Sequence, residues 1–418
     1  MQNNNMKKAE NLHYPDSELS CVRRLAEKVA IIAHSDRMAA VRKRWRDVNE
    51  LRRPDRAPVW CRPVGCWSEL LPEEMLVCQT PLLRDIEYNL RQVLVKNEIG
   101  DDSIVNPWYD VPRHFDLQQA NLWGVDIRRH ASDTAGGAWG YDPPIKTVND
   151  LALLETPRFC YNAAKTGEIL DATATALGQA LPVKLRCPML LPVTVGTAVA
   201  DLLGLGRMML LMATEPDTVH KVTRHVADAV WDSNRYLEEE GFLDRNNDTP
   251  MTCSDDFGPD PGGDRRLSLA NLWCAANSQE YDQVSPEMWR EFCLRYQMPL
   301  MAEFGRVLYG CCENLTYKID DVLKIPNLRV FVCSAWTDLE VILEKTGPQH
   351  VIMWRRKASE VVMPDTVDGI RKDLQEGTRM LRGRCYQIVL RELQTLAGHH
   401  DRLREWTREA VGAAERNS

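Results

Sequence analysis

The segment Val307-Leu308-Tyr309-Gly310-Cys311-Cys312-Glu313-Asn314 joins a short apolar run to two thiols and a carboxylate. A run of this length, preceded by Gly305, is typical of a buried parallel strand, so the polar residues after it are predicted at a strand-to-loop junction. Enzymes with an α/β fold place their reactive groups at such junctions. The segment therefore indicates an α/β fold and a candidate site at the same place.

Similar apolar runs occur on both sides of this segment. They lie near residues 58, 104, 182, 251, 272, 306, 329 and 351, and helical patterns separate most of them. Strands that alternate with helices predict a parallel sheet. Eight strands fit a (β/α)8 TIM-type barrel, although the periodicity alone fits a doubly wound sheet equally well.

The two ends of the chain have helical patterns. Residues 17–51 are predicted to be helical with a stop before Pro54, so residues 1–54 are expected to form an N-terminal helical extension and residues 55–418 the barrel domain. The charged, amphipathic tail from Asp365 onward is also predicted to be helical. Between these ends, residues 133–137 read as a turn.

Composition excludes several classes of protein. With 44% hydrophobic residues, the 418-residue chain can bury a sizeable core, and its net charge of −8 argues against binding nucleic acid or anionic membranes. The most apolar region, 189–213, is interrupted by Pro192, Asp201 and Arg207, so no membrane span is expected. The polar N-terminus lacks a signal peptide, and the thirteen cysteines have no regular spacing. We expect a cytoplasmic protein with reduced thiols.

Polar residues at the predicted strand ends are the candidate site residues. The carboxyl ends of parallel strands meet at one rim of a barrel, so these side chains are expected to converge. The residues with this placement are Arg62, Asp255, Asp256, Glu280, Cys312, Glu313, Cys333 and Arg356.

Several short motifs resemble one enzyme superfamily. Residues 56–65, Arg-Ala-Pro-Val-Trp-Cys-Arg-Pro-Val-Gly, followed by Leu-Leu-Pro-Glu at 70–73, resemble the entry signature of uroporphyrinogen decarboxylase. Residues 255–258 and 285–292 resemble the acidic strand end and the helix start of that superfamily, which also contains methylcobalamin-dependent methyltransferases. The resemblance covers residues 55 to 410 and implies a (β/α)8 barrel.

The departures from uroporphyrinogen decarboxylase itself bear on function. That enzyme has an R-x-x-G-R entry loop, whereas this chain has Arg62-Pro63-Val64-Gly65-Cys66, so a cysteine replaces the second arginine. A glycine-histidine-glycine loop near the C-terminus is also missing. A substrate rich in carboxylates would meet too few cations, so the resemblance is closer to the methyltransferase branch.

In the methyltransferase branch, the motif that residues 310–314 resemble is His-x-Cys-Gly-Asn. Here Gly310-Cys311-Cys312-Glu313-Asn314 keeps the cysteine and loses the histidine. The resemblance implies a zinc ion that lowers a thiol pKa, held by Cys312, Cys333 and Glu313. Since neighbouring strand side chains point to opposite faces, Cys311 is predicted in the core. Ordinary buried cysteines beside a substrate-binding Glu313 are the alternative.

Three functions follow as hypotheses. The first is transfer of a methyl group between a corrinoid protein and a small molecule, with the corrinoid on a separate partner because the chain lacks an Asp-x-His-x-x-Gly element. The second is a metal-free lyase that decarboxylates a tetrapyrrole or a smaller acid, and the third is a non-catalytic ligand-binding barrel. The residues assigned to catalysis are Glu313, Asp256 and Glu280, and those assigned to substrate binding are Arg62, Trp336 and Arg356.

Overall fold

The structure, a computed structural model, describes residues 14–130, 140–260, 262, 266–363 and 367–418. The turn predicted at residues 133–137 lies outside these ranges. The strands are β1 (Val59–Arg62), β2 (Tyr109–Pro112), β3 (Phe115–Leu117), β4 (Arg128–His130), β5 (Gly140–Asp142), β6 (Phe159–Tyr161), β7 (Val183–Arg186), β8 (Trp273–Ala276), β9 (Arg306–Tyr309), β10 (Leu328–Cys333), β11 (Val351–Arg356) and β12 (Tyr386–Glu392).

Helices separate most of the strands. They are α1 (Asp16–Ala33), α2 (Asp36–Asn49), α3 (Trp67–Leu70), α4 (Pro81–Ile99), α5 (Ala163–Leu177), α6 (Val195–Leu203), α7 (Leu205–Thr214), α8 (Pro216–Glu239), α9 (Pro286–Trp289), α10 (Arg295–Ala302), α11 (Ile319–Val322), α12 (Leu339–Lys345), α13 (Ser359–Val362), α14 (Asp368–Met380) and α15 (Arg402–Arg416). A π-helical turn, Arg290–Leu294, joins α9 to α10.

The main sheet has six parallel strands in the order β1-β12-β11-β10-β9-β8. A separate parallel ladder pairs β2 with β7, and two small antiparallel ladders pair β3 with β6 and β4 with β5. The predicted α/β class is confirmed, with a six-stranded parallel sheet as its centre. Because all six strands are parallel, their carboxyl ends lie along one edge of this sheet.

Two of the predicted strands differ from the structure. The strand expected near residue 104 lies at β2 instead, and the strand expected near residue 251 is absent because the chain there is irregular. Met251 has a left-handed φ of +74°. The side-chain amide of Asn49 donates to the carbonyl groups of Met251 and Cys253, which replaces the ladder bonds that a strand would make.

The tail contains a strand that the sequence did not predict. Strand β12 lies between β1 and β11 and pairs with both, so the prediction of a wholly helical tail was wrong. Residues Tyr386 to Leu390 are all buried. Apart from Gln387 this run is apolar, as is typical of a strand covered on both faces, and such a run cannot be told from a buried helix by periodicity.

The N-terminal residues form two helices instead of one. Helix α1 ends at Ala33, and the Ser35 side chain accepts a hydrogen bond from the Met38 N–H to begin α2. Their apolar faces pack with α4 and α5 in a cluster distinct from the main core. The division into residues 1–54 and 55–418 stays a prediction.

Helices α6, α7 and α8 lie against the main core. The predicted apolar face of α8, which includes Val219, Val226 and Leu237, is buried as expected. Within the described ranges no single helix has the length and apolar character to cross a membrane, and by those two criteria only the pair α6 and α7, bent by 90°, would pass.

Candidate active site

Gly310 ends strand β9 and turns the chain. Its φ is +111°, and a Cβ atom there would lie 3.0 Å from side-chain atoms of both Leu315 and Val332. Only glycine combines this backbone angle with so little space. Residues 311 and 312 therefore follow the strand, and the alternation of strand side chains does not apply to them.

The two thiols after this turn lie in contact. The Sγ atoms of Cys311 and Cys312 are 3.5 Å apart, and both residues are half-buried. The prediction that Cys311 belongs to the core was therefore wrong, because the glycine turn brings its sulfur beside that of Cys312. Of Cys311, Cys312 and Glu313, the buried residue is Glu313, which is 1% exposed.

Two arginines from neighbouring strands contact the thiols. Arg391 on β12 donates a hydrogen bond to Cys312 Sγ at 3.0 Å. Arg355 on β11 donates to Cys311 Sγ at 3.3 Å and to the Cys311 carbonyl oxygen at 2.9 Å. We name this site the thiol–arginine cluster, and its members are Arg62, Cys311, Cys312, Arg355, Arg391 and Glu392.

Glu392 lies between two of the arginines. It accepts hydrogen bonds from Arg355 at 2.7 and 2.8 Å and forms an ion pair with Arg62. Burial raises the pKa of Glu392, but the charges of Arg355 and Arg62 outweigh it and lower this pKa overall. The cluster therefore holds three guanidinium groups against one carboxylate, and this excess of positive charge favours anionic ligands.

The two thiols have opposite protonation. The hydrogen bond from the Cys311 thiol lowers the pKa of Cys312 to about 6, with Arg391 and Arg355 adding to this effect and burial opposing it. The same hydrogen bond raises the pKa of Cys311, its donor. The lowered pKa of Cys312 favours its thiolate, the nucleophilic form of cysteine, with Cys311 as the protonated partner.

Glu313 holds the loop that carries the thiols. One of its oxygens accepts from the backbone N–H of Ser278 at 2.8 Å and from the Ser278 hydroxyl at 3.3 Å. The other accepts from the backbone N–H of Cys311 at 2.9 Å. With both oxygens engaged, this carboxylate ties the loop after β9 to the loop after β8. It therefore positions the thiols, and the catalytic role predicted for Glu313 stays a prediction.

Glu280 lies apart from the cluster, beside helix α6. Its Oε1 accepts a hydrogen bond from the Thr197 hydroxyl at 2.6 Å. A Cβ atom on Gly196 would lie 2.8 Å from its Oε2. A carboxylate against the first turn of a helix stabilises the positive end of the helix dipole. The catalytic role predicted for Glu280 stays a prediction.

Arg356 and Trp336 lie near β10 and β11 but outside the cluster. Arg356 pairs with Glu360 at 2.7 Å, and its guanidinium lies 4.3 Å from the centre of the Trp354 ring. Arg356 follows Arg355 on the same strand, so the two side chains point to opposite faces. Trp336 is 56% exposed and lies 4.8 Å from the Lys357 ammonium group.

Asp256 lies at the opposite end of the sheet. It pairs with Arg245 at 3.2 Å and accepts a hydrogen bond from Asn247 at 3.0 Å. The next residue, Phe257, packs 4.4 Å from the guanidinium of Arg306, the first residue of β9. Because no strand forms near residue 251, Asp256 is carried to the amino-terminal ends of the strands, away from the thiols. Asp255 lies beside it, paired with Arg52 at 2.7 Å.

The predicted zinc ligands do not form a ligand set. Cys333 is fully buried and donates to the Thr337 carbonyl oxygen at 3.7 Å, and burial raises its pKa to about 12. Glu313 has both oxygens engaged, and guanidinium groups approach the sulfurs of Cys311 and Cys312, which disfavours a dication there. Among the described residues, three potential ligands within 4.8 Å of one another occur only at Cys21, Cys78 and Glu87. The donor set at the cluster does not fit a metal ion.

Three members of the cluster were missed in the sequence. Arg355 was passed over for its neighbour Arg356, because the sequence does not show which of two adjacent strand residues faces the site. Arg391 and Glu392 were assigned to a helical tail. The signal that could have found them is the run Ile388-Val389-Leu390 directly before them, which repeats the pattern of an apolar run ending in polar residues.

Comparison with known proteins finds similarity among solved structures. No family model matches the sequence, and no curated protein sequence matches it. Among solved structures, a methyltransferase from Methanosarcina mazei is similar with a TM-score of 0.47 at 12% sequence identity. The alignment covers 90% of this chain and 98% of that one.

Proposed function

We propose that the chain is a methyltransferase-like enzyme in which the Cys312 thiolate takes up a methyl group from an electrophilic donor. The observation that carries this proposal is the position of Cys312 Sγ, 3.0 Å from the Arg391 guanidinium and 3.5 Å from the Cys311 thiol. Both neighbours stabilise a negative sulfur. Cys312 is also half-exposed, so a donor can reach it.

The proposed step is a direct displacement at carbon. A bond forms between the Cys312 sulfur and the methyl carbon while the bond from that carbon to the donor breaks, and its electron pair leaves with the donor. Loss of the thiolate charge frees the Arg391 guanidinium to hold an anionic group of the small-molecule substrate. A methylated corrinoid on a separate partner protein supplies an electrophilic methyl group. The step requires no metal ion bound by this chain.

The sequence resemblance to the methyltransferase branch supports this reading. Gly310 stands where that branch has histidine, and here the glycine makes the turn that brings the two thiols together. Replacing the histidine by Gly310 and adding a second thiol would convert a metal-activated site into one activated by arginine. The excess positive charge of the cluster favours a carboxylate or phosphate on the small molecule.

We also propose that the β2–β7 ladder closes the main sheet into a (β/α)8 barrel. At one gap the Asp102 backbone N–H donates to the Val59 carbonyl oxygen at 2.7 Å, and the Val59 N–H donates to the Asp102 side chain at 2.8 Å. At the other gap Asn246 exchanges two hydrogen bonds of 2.8 Å with the Trp273 backbone. Such contacts bridge strands whose ladder bonds are missing.

A carboxy-lyase is the second candidate, and one observation favours it. Arg62, Arg355 and Arg391 converge at the carboxyl ends of the strands, as expected for a site that holds carboxylates. Arg62 and Arg355 are engaged with Glu392, whereas Arg391 contacts the Cys312 sulfur, so Arg391 is the cation for which a substrate carboxylate would compete. This arrangement suits a small acid better than a tetrapyrrole with many carboxylates.

Methyl uptake by the purified protein tests the first candidate. The full chain is incubated with methylcobalamin as the probe, and the tryptic peptide of residues 307–318, whose only cysteines are Cys311 and Cys312, is analysed by mass spectrometry. We expect one methyl group on Cys312. Cys312→Ser should abolish it, whereas Cys385→Ser, at a half-buried thiol in contact with Arg52, should not.

Other outcomes separate the alternatives. The lyase hypothesis would replace the transferase hypothesis if the wild-type protein is not methylated but consumes a small carboxylic acid, and if Arg391→Gln impairs that consumption. Methylation that persists in Cys312→Ser would overturn the assignment of the nucleophile. Binding of anions without turnover of either probe would support the third hypothesis, a non-catalytic ligand-binding barrel.

A further inference from the structure

We propose that Cys311 and Cys312 form a redox-active dithiol, which a peroxide converts into a disulfide between these adjacent residues. The pair is the one used in the proposed function, but the oxidation does not require that function. Within the described part of the chain, it is the only hydrogen-bonded pair of thiols, with sulfur atoms 3.5 Å apart. Both residues are half-buried, so a small oxidant can reach them.

The surrounding contacts hold the two sulfurs together. The turn at Gly310 places both residues beyond the strand, and the 2.9 Å hydrogen bond from the Cys311 N–H to Glu313 fixes the peptide that precedes Cys311. Arg355 holds the Cys311 sulfur and carbonyl oxygen at once. No large backbone movement is therefore needed before the sulfurs react.

Other accessible thiols lack this arrangement. Cys160 is exposed and Cys187 and Cys385 are half-buried, and each donates to a backbone carbonyl oxygen at 3.6 to 3.9 Å. Oxidation of an isolated thiol stops at the sulfenic acid or proceeds to irreversible products, because no second thiol is present to condense with it. Reversible oxidation is thus expected at one pair only.

The chemistry balances with one peroxide per dithiol. The Cys312 sulfur attacks an oxygen of hydrogen peroxide, an S–O bond forms, the O–O bond breaks and hydroxide leaves to become water. The Cys311 sulfur then attacks the Cys312 sulfur, an S–S bond forms, and the S–O bond breaks with loss of a second water that takes the Cys311 proton. The two sulfurs together lose two electrons, and the peroxide accepts them.

The product is expected to be easily reduced. The Cα atoms of adjacent residues are about 3.8 Å apart, less than the roughly 4.4 Å at which ordinary disulfides begin. A strained, accessible disulfide is a labile one, so a small thiol such as glutathione should restore the dithiol. Oxidation would remove the Cys312 thiolate and stop methyl uptake, and reduction would restore it.

Peptide mass analysis of the full-length protein tests the proposal without any methyl donor. After brief treatment with equimolar hydrogen peroxide and blocking with N-ethylmaleimide, the 307–318 peptide should be lighter by two hydrogen atoms and carry no label. Before oxidation, or after glutathione treatment, it should carry one label on each cysteine. Because the readout is the peptide mass, failure of methyl transfer leaves this result unchanged.

Two variants serve as controls. In Cys311→Ser, oxidation should stop at a Cys312 sulfenic acid, which dimedone traps. In the wild-type protein, dimedone should trap at least about tenfold less sulfenic acid. Cys385→Ser should oxidise like the wild type. Equal dimedone trapping in Cys311→Ser and the wild type, a sulfinic acid on Cys312 beside a labelled Cys311, or a disulfide to another peptide would each overturn the proposal.

Discussion

The thiol–arginine cluster and a second group near the N-terminus contain the same residue types in opposite electrostatic settings. The second group, which we name the N-terminal thiol group, consists of Cys21, Cys78 and Glu87, with ligand atoms within 4.8 Å of one another. In each region two cysteines lie close to a glutamate whose oxygens accept hydrogen bonds from backbone N–H groups. Their neighbours differ in charge.

In the N-terminal thiol group a carboxylate faces a thiol. Burial raises the pKa of Cys78, and its hydrogen bond to Glu87 raises it further. Next to the thiol–arginine cluster, Glu313 accepts hydrogen bonds from backbone N–H groups and does not bond to a thiol, and Arg391 contacts Cys312 Sγ at 3.0 Å. The two regions thus differ in what surrounds the thiols: burial and a carboxylate raise the pKa of Cys78, whereas a second thiol and two arginines lower the pKa of Cys312.

The largest expected effect on thiol alkylation comes from removing the Cys312 sulfur, and the equivalent change at Cys78 should have no such effect. Cys312→Ser is expected to lower alkylation of peptide 307–318 by iodoacetamide at pH 7 at least about tenfold, because it removes the more acidic thiol and burial still raises the pKa of the remaining Cys311. Cys78→Ser should leave this alkylation unchanged, since Cys78 is buried elsewhere. Equal losses from the two substitutions would remove the distinction between the regions.

Loss of either glutamate charge should cost stability in both regions. In Glu313→Gln an amide N–H replaces one carboxylate oxygen and faces a backbone donor at Ser278 or Cys311, which costs about 1–3 kcal/mol of unfolding free energy. Glu87→Gln should cost a similar amount through Val77 and Cys78.

Urea unfolding of the two variants measures these costs. Of the two, Glu313→Gln alone should also slow Cys312 alkylation, because Glu313 positions its loop. A Glu313→Gln protein with unchanged stability would show that this carboxylate does not tie the loops together.

Removal of the Arg391 charge should raise the pKa of Cys312 by about one unit, because a nearby cation stabilises the thiolate. At pH 6, near the midpoint of about 6, alkylation in Arg391→Gln should therefore fall about fivefold. Arg91→Gln, which removes the cation 2.7 Å from Glu87, is the matched control and should have no effect on Cys312. The ratio of rates at pH 6 and pH 8 separates a pKa change from a loss of folding.

Arg356 provides the smallest expected effect. It lies next to Arg355 on β11 but pairs with Glu360, so Arg356→Gln should change Cys312 alkylation less than about twofold. A loss as large as that of Arg391→Gln would mean that the side chain reaches the cluster and that its predicted substrate role should be restored.

The fold was largely predictable because most strands are short apolar runs that end in polar residues. Strands β8 to β11 follow this pattern closely, and it also located Cys312 and Glu313. Strand β12 was not predicted, because a run buried on both faces lacks the alternation of a strand and here precedes a charged helix. The region near residue 251 was misassigned because its backbone bonds go to the side chain of Asn49, a contact of long sequence separation.

The site was predicted in position but not in composition. The contact between Cys311 and Cys312 depends on the φ of one glycine, and the sequence shows the glycine without its angle. Arg355, Arg391 and Glu392 come from two other strands, so their meeting depends on register, which single-sequence patterns do not set. The metal ligands were predicted from residue types alone. The sequence does not show which charged groups surround a thiol, and those groups decide whether it can bind a metal ion.

The central claim, that Cys312 is a thiolate at neutral pH, is tested most directly by the pH dependence of its alkylation. The rate of iodoacetamide addition to Cys312 in the native protein, followed in peptide 307–318 from pH 4.5 to 9.5, should rise with pH and level off after a midpoint of about 6. A midpoint near the pKa of an ordinary cysteine, about 8.5, would contradict the claim.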